Sequence, residues 1–277
     1  MARYSTSFIL SLSLILAITL QSCMTHAAIP WRRPAKDDKD VAAAMKSTDS
    51  VEVFRKRRFF NVFGRTLFLG FEPKKNAKDV GFVIYPGTLV TPEAYAPLAK
   101  RIAEQGYRVA VTTPPLSLAA VGDLIGDDYA DLVIKRSRWK NKVNTWTIGG
   151  HSQGGAIACS YARKNVGSKL KGVVLMASYP GNMLGFDGDI SKTEYDVVSL
   201  YGTLDGIALY EDVVTGAKKL LPLGTKFAEI DGGNHSQFSY AEGIQESPGK
   251  VDGTPTITLA EQQDIIHDNV IELLSKY

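Results

Sequence analysis

The chain has 277 residues, 44% of them apolar, and a formal charge of +3. That length and apolar share support one sizeable core, so a single domain is expected rather than two. The small net charge gives no case for nucleic acid, and 25 glycines and 12 prolines scattered along the chain fit a turn-rich α/β protein rather than a low-complexity one.

Residues 1–27 read as an export signal, with Arg3 ahead of the apolar run Phe8–Leu20 and small or polar residues behind it. The run is shorter than the roughly 20 residues a membrane span needs. Two endings fit. Leu20–Gln21–Ser22–Cys23 resembles the bacterial lipoprotein signal, in which the cysteine is lipidated and anchors the protein to a membrane. Thr25–His26–Ala27 before Ala28 offers a small-residue cleavage site for plain secretion. With Cys23 removed or modified, Cys159 has no internal partner and is expected as a small buried hydrophobe. Residues 28–50 are charged, small and proline-marked, which predicts a flexible leader.

Residues 51–277 carry the expected single domain. Val51–Arg58 and Arg65–Phe71, around Asn61–Val62–Phe63–Gly64, predict an antiparallel start to a sheet. The basic cluster Arg55–Arg58 reads as a solvated strand end, because nothing aromatic or glycine-rich is organised around it. Val80–Tyr85 is continuously apolar, as a strand buried on both faces is, and stops at Pro86–Gly87–Thr88. Pro92–Gly106 has a helical pattern, Tyr107–Val111 is the next strand, and a further helix is expected over roughly Asp127–Arg136. Val143–Ile148, Leu170–Ala177, Asp196–Tyr201 and Lys226–Ile230 are further strands, with helices predicted to about Lys164, over Ala208–Leu220 and over 259–275. Alternating strands and helices from residue 80 onward predict a mostly parallel sheet covered on both faces, with ligands at the strands' carboxyl ends.

Between Val143–Ile148 and its helix stands Gly149–Gly150–His151–Ser152–Gln153–Gly154–Gly155. A serine on a very tight strand-to-helix turn lifts its hydroxyl out of the sheet, and residues two positions away must then lack side chains. Ser152 is therefore the candidate nucleophile; the plain alternative is a serine capping the next helix. A serine hydroxyl needs a base, and an imidazole held by a carboxylate supplies one. Of the four histidines, His26 lies in the signal or leader and His267 in the terminal helix, and His151 adjoins Ser152 with its side chain pointing away. His235, in the polar loop Gly232–Phe238 after a predicted strand, is the candidate base. Asp205, in Gly202–Thr203–Leu204–Asp205–Gly206, is the candidate acid, with Asp187, Asp189, Asp231 and Glu211 competing on composition. For the oxyanion, the amide of Gln153 is one donor, and the loop after Val80–Tyr85 offers Thr88, with Leu89 as rival.

With Ser152, Asp205 and His235 in that order, residues 51–277 resemble the α/β-hydrolase superfamily, and more closely its alpha/beta hydrolase fold-5, or dienelactone-hydrolase-like, family. Tyr85–Pro86–Gly87–Thr88, Pro92–Leu98, Gly149–Gly155, Tyr201–Gly206 and Gly232–Phe238 carry the likeness. The resemblance implies Ser152 as nucleophile, Asp205 as acid, His235 as base and an oxyanion hole at Thr88 and Gln153. Pro86–Gly87 stands where many members have His-Gly, and serine stands where dienelactone hydrolases carry cysteine. The expected activity is hydrolysis of a small or medium carboxylic ester through an acyl-enzyme. An amidase, thioesterase or acyltransferase with the same triad, or a non-catalytic exported binding protein, are the alternatives. Tyr179–Thr193 lies where members of the superfamily commonly insert a lid and is short; Met183, Leu184 and Phe186 either line an acyl pocket or pack the loop onto the core, and Pro114–Pro115–Leu116 either forms another wall or packs likewise. No metal or organic cofactor is implied, and the chain is expected to act as a monomer or weak homodimer.

Overall fold

The computed structural model describes residues 31–57, 66–114, 128–181, 187–247 and 249–277. The expectations for the signal, Cys23, His26, Arg58, the Asn61–Gly64 turn, Pro115–Leu116, Met183, Leu184 and Phe186 lie outside the described residues.

Eight strands form one sheet: β1 (Val51–Arg57), β2 (Thr66–Pro73), β3 (Val80–Tyr85), β4 (Arg108–Thr112), β5 (Thr145–His151), β6 (Leu170–Met176), β7 (Asp196–Gly202) and β8 (Lys226–Ile230), in the order β1-β2-β4-β3-β5-β6-β7-β8. β1 and β2 pair antiparallel, as does β2 with β4, and every pairing from β4 through β8 is parallel. Alternation along each strand divides the core in two. Phe82 and Ile84 pack on one face with Leu98 and Ile102 of α2 (Ala96–Glu104) and Ile266 and Val270 of α5 (Leu259–Leu274). Val83 and Tyr85 pack on the other with Tyr129 and Val133 of α3 (Tyr129–Ile134) and Ile157 and Tyr161 of α4 (Gln153–Lys164). Both faces of β3 are thus covered, which is why its sequence is apolar throughout.

Two expectations change. Ala208–Leu220 is not an α-helix: a wide π-type turn over Glu211–Gly216 runs into a 3-10 turn over Ala217–Lys219. Its burial is intermittent, with Val213, Val214 and Ala217 turned inward, and a short segment without a continuous apolar stripe lacks the packing that holds a regular helix. The leader also differs. From Trp31 onward it is folded against the domain, with a backbone bridge from Arg32 to Val90 and a helix, α1 (Lys39–Ala44). Asp38 caps α1 through the amides of Asp40 and Val41, Val41 and Ala44 are buried, and Lys100 Nζ donates to the carbonyls of Ala43 and Lys46. Among the described residues no helix is long and apolar enough to cross a membrane.

Candidate active site

Six parallel strands end at one edge, and the turns that follow β3, β5, β6, β7 and β8 carry the chemistry. Tyr85 of β3 pairs with Gly150 of β5, and His151 with Met176 of β6, so the turns after β3, β5 and β6 leave the sheet side by side. Ser152 follows β5 with φ 52° and ψ −127°, a conformation L residues rarely adopt. The turn is held by Ser152 N–H to Met176 O at 3.0 Å and by Ser178 Oγ, which donates to Ser152 O at 2.6 Å. A Cβ on Gly150 would lie 2.6 Å from the Tyr85 carbonyl oxygen, and one on Gly154 2.5 Å from that of Pro86. The glycines on either side of Ser152 are therefore required by backbone approach. Ser152 occupies the N-cap position of α4, yet its hydroxyl makes no capping hydrogen bond.

His235 and Asp205 come from the loops after β8 and β7. His235 Nδ1 lies 2.8 Å from Asp205 Oδ2, with side-chain exposures of 0% and 1%. The other Asp205 oxygen accepts from the amides of Ile207 and Ala208 at 2.8 and 2.7 Å. An acceptor-only carboxylate fixes the proton on Nδ1 and leaves Nε2 as the ring's proton acceptor. Nε2 is buried and has no hydrogen-bond partner, so in this structure it is not bonded to the Ser152 hydroxyl. Such bonds are often loose in unliganded enzymes and tighten with substrate. The competing carboxylates are engaged or exposed elsewhere: Asp187 with Arg163, Asp189 with Ser191, Asp231 with Thr203, and Glu211 at an exposed turn.

A second buried carboxylate has no counterpart in the sequence reading. Asp252 accepts from the amides of Gly206, His235, Ser236 and Gly253 and from Ser236 Oγ, at 2.6 to 3.1 Å. It thereby joins the loop after Asp205 to the loop of His235. Asp252–Gly253 looks like any turn dipeptide in sequence, so only the long-range fold reveals this role.

The loop after β3 is fixed by an equally unexpected pair. Gly87 N–H donates to Tyr95 Oη at 2.9 Å, and the same oxygen lies 2.9 Å from His151 Nδ1. Burial, then the nearby His235 and Arg32, hold the His151 pKa well below the usual histidine value, so the ring is neutral. A neutral ring can accept a hydrogen bond from the Tyr95 hydroxyl at Nδ1, which leaves the tyrosine oxygen free to accept from Gly87. His151 is a packing residue, stacked on Phe238 at 5.8 Å between ring centres, as its position beside Ser152 predicts. With Gly87 committed to Tyr95, the amides of Thr88 and Leu89 are the ones in this loop without a hydrogen-bond partner. The amide of Gln153 opens α4, where no intrahelical acceptor reaches it.

Ser152 and Thr88 line two cavities, of about 700 and about 310 Å³. The larger is walled by Trp31–Pro34 of the leader and by residues 242–247, the smaller by Ala156, Tyr179, Ile207 and Lys250 among others. Tyr179, from the expected lid, contributes to the smaller cavity, whereas Pro114 lines neither. The outer wall includes part of a short hairpin of β9 (Glu246–Ser247) and β10 (Lys250–Val251), which no sequence pattern announced. Among the described residues no group of three or more His, Cys, Asp or Glu side chains is arranged to hold a metal ion. The arrangement offers a strained serine and unpaired amides at a cavity of substrate size, and a carboxylate-oriented imidazole that is itself buried and lines neither cavity.

A family model described as an alpha/beta hydrolase family matches residues 81–264. Among solved structures, that of a predicted CIB-like hydrolase from Thermoplasma acidophilum superimposes over 80% of this chain and 100% of its own, with a TM-score of 0.55 and 15% identity. At that identity the likeness concerns the fold. No curated protein matches the chain.

Proposed function

Because the chain belongs to the alpha/beta hydrolase family and is a hydrolase, we propose that it cleaves carboxylic esters through an acyl-enzyme on Ser152. The observation that carries this reading is the buried Asp205–His235 pair, which ends on an unpartnered imidazole nitrogen in a chain whose Ser152 stands on a strained turn.

In the first half-reaction Ser152 Oγ attacks the ester carbonyl while His235 Nε2 takes the hydroxyl proton, and Asp205 stabilises the imidazolium that forms. The negative charge gathering on the carbonyl oxygen is received by the amides of Gln153 and Thr88. Gly87 is unsuited because its N–H already points at Tyr95. Each such donor contributes about 3 kcal/mol to transition-state stabilisation. The tetrahedral species collapses with His235 returning its proton to the leaving alcohol. Water, deprotonated by the same nitrogen, then releases the acid and restores Ser152. Two cavities sharing Ser152 and Thr88 leave room for both halves of an ester.

A series of 4-nitrophenyl esters from acetate to octanoate tests this directly. Hydrolysis by the wild type that disappears in Ser152→Ala is the expected result. Absence of hydrolysis across the series, or its persistence in Ser152→Ala, contradicts the reading.

A further inference from the structure

Arg32 stands in the wall of the larger cavity, and its backbone is built into the loop that carries Thr88. Its N–H donates to Leu89 O at 2.9 Å, and its carbonyl accepts from Thr91 N–H at 3.0 Å. The side chain reaches the opposite wall, where Nη1 donates to Gln245 Oε1 and Nη2 to Gly243 O, each at 2.7 Å. Both acceptors are neutral. Among the described residues no carboxylate lies within ion-pairing distance of this guanidinium, and three of its five N–H groups are left without a partner.

A half-buried charge with neutral partners is costly unless something else completes it. Burial lowers the Arg32 pKa, and Tyr95 and Asp252 oppose that only in part; a guanidinium nevertheless keeps its proton at neutral pH. Asp252 cannot serve as the counterion by contact, since its oxygens already accept from four amides and a hydroxyl. Glu242 and Glu246 also line this cavity, and so does Arg33, but all three are exposed and screened by water. Arg32 is the charge fixed inside.

We propose that Arg32 forms an anion subsite in the Ser152 cavity, which receives a carboxylate carried by the substrate away from its scissile bond. This rests on the esterase reading and narrows it to singly charged half-esters. A planar guanidinium with several free N–H groups suits a carboxylate. The two glutamates at the rim disfavour a group with two charges, such as a phosphate monoester.

The test compares 4-nitrophenyl hydrogen glutarate with 4-nitrophenyl pentanoate, which match in length and differ in the terminal charge. The wild type is expected to favour the charged ester at least tenfold in kcat/KM, through KM, with the preference falling in 0.5 M NaCl. Arg32→Gln is expected to erase that preference, and Arg32→Lys to retain part of it. Calorimetric titration with glutaramate, against pentanamide as neutral control, reads the subsite without turnover. Glutaramate binding is expected to weaken at least tenfold in Arg32→Gln. A wild-type preference of one or less, or glutaramate binding unchanged in Arg32→Gln, overturns the subsite. If neither ester is turned over and Ser152 is not labelled by a fluorophosphonate, the esterase reading fails, and the titration still decides on Arg32 by itself.

Discussion

The elbow around Ser152 and the outer wall of its cavity are assembled in opposite ways. At the elbow, the signal is confined to one short stretch: a strand end, a serine at φ 52° and glycines that keep its backbone clear of Tyr85 and Pro86. The outer wall is made by segments that meet only after folding, Trp31–Pro34 from one end of the domain and residues 242–247 from the other, tied through Arg32 and Gln245. The difference separates reactivity from selectivity. The groups that would move the proton belong to strand ends of a rigid sheet, whereas the groups that would choose the substrate belong to loops laid over it.

Breaking the elbow gives the largest effect. Ser152→Ala is expected to lower ester hydrolysis by roughly 10⁴-fold or more with little change in thermal midpoint, since the hydroxyl holds no other group in place. Asp252→Ala cuts the tie between the two halves. It strands four amides and a hydroxyl, so a stability loss of about 3 kcal/mol in urea unfolding is expected. A fall in kcat with KM nearly constant should accompany it, because Asp205 and His235 lose their common anchor.

Far from both regions, Glu72 provides a control for pure stability. Its carboxylate is held by Arg108, Arg138 and Lys142. Burial alone would raise its pKa, but the nearby Trp139 N–H and these cations more than offset that, and the net shift is downward. A carboxylate depressed in the folded state stabilises the fold fully above its ordinary value of 4.5 and loses that contribution as pH falls through its folded pKa. Glu72→Gln is expected to cost about 2 kcal/mol at pH 7, to leave KM untouched, and to show less acid destabilisation than the wild type. Tyr95→Phe is the mildest change. It frees the Gly87 amide and the His151 nitrogen, with an expected cost of about 1 kcal/mol in stability and a several-fold drop in kcat from a looser oxyanion loop.

How far each region is legible in sequence follows the same division. β3 announces itself because a strand buried on both faces is apolar throughout, and the Gly150–Ser152–Gly154 spacing records a backbone clash that any such elbow has to avoid. The pairing of Asp205 with His235 was also readable, since both follow strands whose ends meet at one edge. The leader was not, because charge and small residues resemble a tether until Val41 and Ala44 find the apolar surface beneath them. Asp252, Tyr95 and Arg32 were hidden for a similar reason: each acts through partners remote in sequence, and a single polar residue carries no periodic signal.

The claim on which the mechanism depends is proton transfer from Ser152 to His235, and covalent labelling by a fluorophosphonate, followed by intact-mass and peptide mapping, tests it most directly. One adduct on Ser152 in the wild type, none in Ser152→Ala and a rate reduced roughly 10³-fold or more in His235→Ala is the predicted result. An adduct on another residue, or labelling as fast in His235→Ala as in the wild type, would contradict it.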